Sequence, residues 1–215
     1  MGRIIMHKVI LIIVLILCCL AGCAQQAGTF TDSRDSKTYK TVTIGTQTWM
    51  AENLNYEMPE SWYYDDNPEN GPAYGRLYTW EAAKTACPDC WHLPSEEEWV
   101  ILERHMGMTA KEADIFLMRG EGIDIGTKLK SESGWEPVDG KNLGSNETGF
   151  NALPGGHRGY DENHSFVEMG KRGAWWSRTP DGNYAFRRAL YYNKSGIDRD
   201  PATRALGFSV RCVKD

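Results

Sequence analysis

The spacing of apolar residues predicts a helix immediately after residue 95. Trp99, Leu102 and Met106 recur at steps of three and four residues, so a helix would carry them on one buried stripe. Ser95 and Glu98 have the spacing of a capping box, in which the serine oxygen and the glutamate carboxylate each accept a free backbone amide. We therefore expect an extended segment to enter the core at this point, followed by a turn and the start of the helix.

Two further helices are predicted on either side of this one. Thr79 can cap a helix that stops at Pro88, because proline cannot continue a helix. Thr109 and Glu112 have the spacing of a second capping box, which predicts a short helix that runs to Gly120. Helices are therefore expected mainly in the first half of the chain.

Strands are predicted near the start of the chain and in its second half. Residues 37–53 combine β-branched and aromatic residues around a turn at Gly45, which is typical of a hairpin. Three short stretches between glycines and turns are also predicted strands: residues 149–153, 173–177 and 183–192. Residues 206–213 alternate apolar and polar side chains, so Cys212 should lie on an apolar strand face. Separate helical and strand regions predict an α+β fold with an antiparallel sheet.

The first 22 residues have the pattern of a bacterial secretory signal. Arg3 and Lys8 precede an unbroken apolar run over residues 9–20, which is shorter than the roughly 20 residues that a membrane-spanning helix needs. Residues 20–23, Leu-Ala-Gly-Cys, resemble the lipobox of bacterial lipoproteins. This resemblance implies cleavage before Cys23 and attachment of lipid to its sulfur. The alternative is an ordinary signal peptide followed by a coincidental cysteine.

A lipid on Cys23 would anchor the mature protein to a membrane without spanning it. We therefore expect an extracytoplasmic protein of the bacterial cell envelope, held at the outer membrane. Residues 23–36 are mostly polar and are predicted to be a tether, and residues 37–215 are predicted to form one domain. Without the predicted signal the net charge is −7, which argues against nucleic-acid partners because phosphate backbones require clustered positive charge.

Three of the six cysteines remain after the predicted processing and lipidation, in a compartment that permits disulfides. We expect a Cys87–Cys212 disulfide with Cys90 left over. One alternative is a Cys87–Cys90 redox pair, although such pairs usually begin a helix in a βαβ unit. Another is a zinc site formed by these three cysteines and His92, which an oxidising compartment disfavours.

Two other groups of polar residues invite a chemical interpretation that their pattern does not support. The acidic stretch 65–71 contains possible calcium ligands, but neither register of an EF-hand loop fits it. His157 and His164 lie near acidic residues in a glycine-rich region without a nucleophile signature. The acidic residues are Asp161, Glu162 and Glu168. Acid–base catalysis by these residues and the histidines would need a nucleophile, which the sequence does not indicate. We therefore expect no catalytic residue, metal or cofactor.

Trp175, Trp176 and Arg178 form the predicted ligand-binding surface. Adjacent residues of a strand point to opposite faces, so one tryptophan is expected in the core and the other at the surface. An exposed indole beside Arg178 could stack on a sugar ring or anchor a protein partner. The alternative is that both rings are packed under loops.

Six blocks of the sequence resemble, in their order, the Fibrobacter succinogenes major paralogous domain. The blocks are residues 40–45, 48–55, 75–80, 87–88 with 91–94, 149–154 and 207–213. The last block also resembles the end of C-type-lectin-like domains of the formylglycine-generating-enzyme type. The resemblance implies a C-type-lectin-like fold with paired terminal strands, two helices and a loop-rich second half that carries any ligand site. The family usually has a residue other than cysteine at the position of Cys90.

Proteins of this family are largely secreted or lipid-anchored and have no assigned activity. Formylglycine-generating enzymes bind copper through a pair of C-terminal thiols, whereas here only Cys212 lies in the C-terminal half. We therefore expect a lipid-anchored binding or adhesion module without catalysis, whose ligand is a glycan or a surface protein. The alternatives are a structural envelope protein without a specific ligand, or an enzyme of the formylglycine-generating or hydrolytic type.

Overall fold

The computed structural model describes residues 27–215. The predicted signal at residues 1–22, the lipidation site Cys23 and the first residues of the predicted tether lie outside this range. None of the helices within it combines the length and the apolar character needed to span a bilayer.

Two β-sheets and a few short helices make up the described residues, which confirms the predicted α+β class. The strands are β1 (Ala27–Thr31), β2 (Thr38–Ile44), β3 (Gln47–Met50), β4 (Ser61–Trp62), β5 (Leu77–Tyr78), β6 (Trp91–His92), β7 (Leu117–Arg119), β8 (Gly155–Arg158), β9 (Phe166–Met169), β10 (Arg172–Asp181), β11 (Tyr184–Tyr191), β12 (Ile197–Thr203), β13 (Phe208–Ser209) and β14 (Val213–Lys214). The helices are α1 (Gly71–Tyr74), α2 (Trp80–Ala86), α3 (Glu96–His105), α4 (Ala110–Ala113) and α5 (Ile125–Leu129).

The first sheet has the strand order β1-β2-β3-β14-β6 and is antiparallel. The predicted hairpin forms its centre, and Gly45 takes the left-handed conformation that the β2–β3 turn requires. Strand β1 pairs with β2 along its whole length, from Ala27 opposite Val42 to Thr31 opposite Thr38. Residues 27–31 of the predicted tether therefore belong to the first sheet, because β1 pairs along the edge of β2.

The second sheet has the order β4-β5-β13-β10-β11-β12-β7, and β8 and β9 extend it beside β10. It is mixed, since β10 runs parallel to both β13 and β8, so the expected antiparallel arrangement holds only for part of it. Strand β10 lies at its centre and has a hydrophobic core on each face. We call the core around Trp176 and Phe208 the first core, and the core around Trp49, Trp99 and Trp175 the second core.

The C-terminal stretch joins the two sheets instead of forming one strand. Residues 206–213 were predicted to be a single strand, but β13 belongs to the second sheet and β14 to the first. The apolar residues Val210 and Cys212 face the first core as the alternation predicts. The polar residues Ser209 and Arg211 are also buried, because the stretch runs between the two cores.

Helix α3 begins as the sequence predicts. Ser95 Oγ accepts a hydrogen bond from the Glu98 backbone N–H at 3.2 Å, and Glu98 Oε2 accepts one from the Ser95 N–H at 2.8 Å. Trp99 and Leu102 are buried and Met106 packs against the same core. Thr79 likewise caps α2 by accepting from the Ala82 N–H. Local capping chemistry was therefore sufficient to place these two helix starts.

Two other predicted elements are wrong in extent. Helix α4 ends at Ala113 and not at Gly120, because Glu112 accepts a hydrogen bond from the Gly120 N–H and residues 117–119 pair with β12 as β7. Of the predicted strand 149–153, only Ala152 makes a bridge, to Lys130. In both places a contact far along the chain decides the local conformation.

Candidate functional site

The Cys87–Cys212 disulfide is present, with a Cα–Cα distance of 5.9 Å, which confirms the predicted pairing. The bridge takes the Cys87 sulfur that the Cys87–Cys90 redox pair would need, and it takes two of the three thiols of the alternative zinc site. Cys90 is a free, exposed cysteine. Among residues 27–215, no group of three or more His, Cys, Asp and Glu side chains is arranged to hold a metal ion.

The prediction that one tryptophan of the pair is exposed is wrong, because both rings are buried, as in the alternative. Trp175 is 1% exposed and Trp176 is fully buried, on opposite faces of β10. Trp175 Nε1 donates to Asn53 Oδ1 at 2.9 Å, and Trp176 Nε1 donates to the Tyr78 carbonyl at 2.8 Å. Both faces of the sheet are covered, so the face that was expected to meet solvent meets the second core instead. The alternation along β10 holds, but each ring has a structural role.

Asn53 is a buried junction that sequence reasoning did not single out. Its Oδ1 accepts from Trp175 Nε1 and from Arg211 Nε at 3.0 Å, and its Nδ2 donates to the Tyr74 carbonyl at 2.9 Å and to Ser209 Oγ at 3.3 Å. The side chain thus uses both of its donors and both of its acceptor sites. It holds together four segments that are distant in sequence.

Arg211 is fully buried and has no carboxylate partner among its hydrogen bonds. Its guanidinium donates to the backbone carbonyls of Phe150 and Asn151, and burial lowers the pKa of Arg211 to about 9 despite the opposing effect of Glu52. The arginine therefore fixes the loop before β8 to the C-terminal stretch. It is a structural residue and is not accessible to a ligand.

A buried network of ion pairs attaches α3 to the second sheet. Glu103 accepts from Arg119 at 2.7 Å and from Arg188 at 2.6 Å, and it is fully buried. Glu96 accepts from Arg188 at 2.5 Å and from Arg199 at 2.6 Å. The two carboxylates therefore connect the helix to β7, β11 and β12. In the sequence, Arg188 is visible only as an interruption of an apolar strand.

An open groove of about 550 Å³ lies between α3 and β10. It is lined by His92, Ser95, Glu97, Glu98, Ile101, Arg178, Thr179 and Pro180. Two contacts hold its walls together: the Arg178 N–H donates to the Pro94 carbonyl at 2.8 Å, and the Glu96 N–H donates to Thr179 Oγ1 at 3.0 Å. The side chains of Arg178 and Glu97 are exposed and form no ion pair within residues 27–215. The groove therefore offers one free charge of each sign.

His92 at the edge of the groove is held between two carboxylates. Its Nδ1 lies 2.5 Å from Asp215 Oδ1 and its Nε2 lies 2.6 Å from Glu98 Oε1. Burial alone would lower the pKa of His92, but the hydrogen bonds with Asp215 and Glu98 outweigh it and raise the pKa above 6.5. Because each ring nitrogen faces a carboxylate oxygen, the site favours the doubly protonated imidazolium, and His92 links β6, α3 and the C-terminal residue.

In the comparison with family models, residues 42–214 match the Fibrobacter succinogenes major domain. The chain belongs to the Fibrobacter succinogenes major domain family. Neither the comparison with curated proteins nor that with solved structures found a match. In this Fibrobacter succinogenes major domain, the blocks that carry the family resemblance supply Asn53, Arg211 and the disulfide. Family membership therefore accounts for the scaffold, and His92 is the groove residue that these blocks contribute.

The two histidines considered as an acid–base pair are not brought together in this Fibrobacter succinogenes major domain. His164 is exposed in the connection between β8 and β9, and His157 is largely buried on β8. Glu168 Oε2 lies 3.3 Å from His157 Nδ1, but the direction does not allow a hydrogen bond, so Nδ1 is buried without a partner. Burial and the nearby Arg172 lower the pKa of His157 to about 4, so the imidazole is neutral at pH 7.

The depressed pKa of His157 predicts that mild acid destabilises the domain. Between pH 6.5 and about 4 the unfolded chain binds a proton at this site and the folded protein does not, so stability falls as the pH falls through this range. Allowing for the partial solvent access of the ring, we expect a loss on the order of 2 kcal/mol. Urea unfolding at pH 7 and pH 4.5 should show a smaller loss for His157→Gln than for wild type. His164→Gln, which changes an exposed ring, should match wild type; equal pH slopes in all three proteins would contradict the prediction.

Proposed function

We propose that this protein is a lipid-anchored, extracytoplasmic binding or adhesion module of the bacterial cell envelope, acting without catalysis on a glycan or a surface protein. The lipobox-like residues 20–23 support the anchor, and the Cys87–Cys212 disulfide is compatible with an oxidising compartment. The finer description of the fold as C-type-lectin-like belongs to the same proposal. It is supported by the pairing of the C-terminal strand β14 with β3 near the start of the domain and by the long irregular region between α5 and β8.

The observation that carries the proposal is the pair of uncompensated charges in the groove. Arg178 and Glu97 face an open space with walls fixed by a capped helix and a central strand. Ile101 and Pro180 add apolar surface, and Thr179 adds a hydroxyl group. A lining of apolar side chains with a few polar groups at fixed positions is typical of ligand sites. The arrangement suits a ligand that presents both polar and apolar groups.

The same geometry argues against hydrolysis in this groove. A hydrolytic nucleophile needs a base within hydrogen-bond reach. Ser95 Oγ already accepts the Glu98 N–H, and both nitrogens of His92 are bound to carboxylates. Ser95 and His92 therefore serve the local structure, and binding is the function that remains for the side chains beside them.

Replacing Arg178 by alanine should weaken binding by about tenfold or more, because a hydrogen bond to a charged group contributes roughly 1.5–3 kcal/mol. The test uses the full-length chain in detergent micelles, first against a glycan array and then against purified envelope proteins. Arg104→Ala is the matched control, since it removes an exposed arginine from the last turn of α3, and Arg104 does not line the groove. No binding to any glycan or envelope protein would favour the structural alternative. Binding that is equally strong in both variants would place the site outside the groove.

A further inference from the structure

The first sheet begins close in sequence to the proposed lipidation site. Ala27 is the first residue of β1, and only residues 24–26 separate it from Cys23. The four Cα–Cα steps between the two residues span at most about 14 Å, even in a fully extended chain. Strand β1 pairs with β2 from its first residue, so it adds nothing to this reach. Ala27 therefore lies within about 14 Å of any lipid-bearing Cys23.

Ala27 marks one end of the first sheet. Strand β2 runs from the residue opposite Ala27 to the β2–β3 turn, whose residues Gly45 and Thr46 are exposed, so this turn lies at the same end. The turn also contacts the last turn of α3, since an added Cβ on Gly45 would come within 2.9 Å of His105 Nδ1. We call Ala27, Gly45, Thr46, Arg104 and His105 the anchor-proximal end.

Helix α3 has opposite charges at its two ends. Its last turn, at the anchor-proximal end, carries Arg104 and His105, and its first turn, roughly 15 Å away, carries the glutamates at 96–98. Arg104 is exposed and forms no ion pair within residues 27–215. Basic residues in a last turn also complement the helix dipole, so this charge pattern alone selects no partner. The position of Ala27 selects one, because it brings the basic end of the helix near the anchor.

We infer that the anchor-proximal end lies against the bilayer that holds the lipid anchor, with Arg104 directed at anionic headgroups. This inference rests on the lipid anchor of the proposed function. Anionic lipids attract basic residues close to a membrane surface, and like charges repel, so the acidic end of α3 is favoured on the far side. The groove is lined by residues at the start of α3, among them Ser95, Glu97 and Glu98. It therefore opens away from the bilayer, where a large partner can reach it.

The test measures how close single positions lie to the bilayer in the full-length chain, reconstituted into vesicles of phosphatidylethanolamine and phosphatidylglycerol. In a Cys90→Ser background, a fluorophore is attached to Thr46→Cys or to Ser33→Cys, an exposed residue of the β1–β2 turn at the other end of the same sheet. Lipid with a nitroxide headgroup should quench the Thr46 label at least about threefold more strongly, since the length of β1 separates the two turns by roughly 15 Å. A label at Glu97→Cys should be quenched as weakly as that at Ser33.

Reversing the charge at Arg104 tests the contact with headgroups. Arg104→Glu should lower the quenching of the Thr46 label about twofold in these anionic vesicles and leave it unchanged in vesicles of phosphatidylcholine. Lys214→Glu is the matched control, since it reverses an exposed charge on β14, beside β6, and it should have no effect in either lipid. Equal quenching in wild type and Arg104→Glu in the anionic vesicles would refute the contact.

Flotation of the vesicles separates this inference from the proposed function. If wild type floats with the vesicles no better than Cys23→Ala, the lipid anchor is refuted and the orientation with it. If only wild type floats, but its Thr46 label is quenched no more than the Ser33 label, the orientation alone is refuted. Stronger quenching at Glu97 than at Thr46 would place the groove against the bilayer and reverse the orientation.

Discussion

Removing the Cys87–Cys212 disulfide will lower the free energy of unfolding by about 4–5 kcal/mol. The two cysteines are 125 residues apart, and a cross-link over so long a loop strongly restricts the unfolded chain in the chain-entropy model. Cys212 is also fully buried beside the first core, so the bridge fixes the stretch that connects both sheets. The measurement is guanidinium unfolding of Cys87→Ser/Cys212→Ser, followed by tryptophan fluorescence.

Cys90→Ser is the matched control for this experiment, because it replaces the exposed cysteine of the same segment. We expect its stability to remain within about 0.5 kcal/mol of wild type, as for most surface substitutions. A double serine variant that unfolds at the same denaturant concentration as Cys90→Ser would show that the bridge contributes nothing to stability.

Glu103→Gln is expected to cost about 3–5 kcal/mol. Glutamine has nearly the shape of glutamate but no charge, so Arg119 would lose its carboxylate partner in the core and Arg188 would keep only Glu96. An uncompensated buried charge is costly because little solvent can reach it. Thermal and urea unfolding of the variant should both report the loss.

Glu147→Gln provides the comparison for Glu103→Gln, since it makes the same chemical change on an exposed residue. Its effect should be within about 0.5 kcal/mol. If the two variants were equally stable, the carboxylate of Glu103 would not be what holds α3 to the sheet.

Local sequence signals predicted the elements whose determinants are close together in the chain. The start of α3 follows from Ser95 and Glu98, three residues apart, and the β2–β3 turn follows from Gly45. The Cys87–Cys212 pairing could be predicted although it is long-range, because few cysteines remained to choose from. The extent of α4 could not be predicted, since the residues after it pair with β12.

The burial of polar residues was the main property that sequence patterns missed. Asn53 and Arg211 are 158 residues apart, and their hydrogen bond becomes visible only when the two sheets are assembled. An alternating pattern indicates one buried face, so it cannot reveal that a second layer covers the other face, as it does at Trp175. Arg178 was predicted to be at the surface and is exposed, but its neighbours in the groove come from α3 and not from the tryptophan pair.

The division of residues 208–214 between two sheets has a consequence for how this chain is made. Without β14, strand β6 has no neighbour in the first sheet, and without β13, strands β4 and β5 are separated from β10. Neither core can therefore close around a nascent chain that still lacks these residues. The aromatic side chains of both cores therefore stay exposed until residues 208–214 are available, so neither core can form before the other as an independent folding unit.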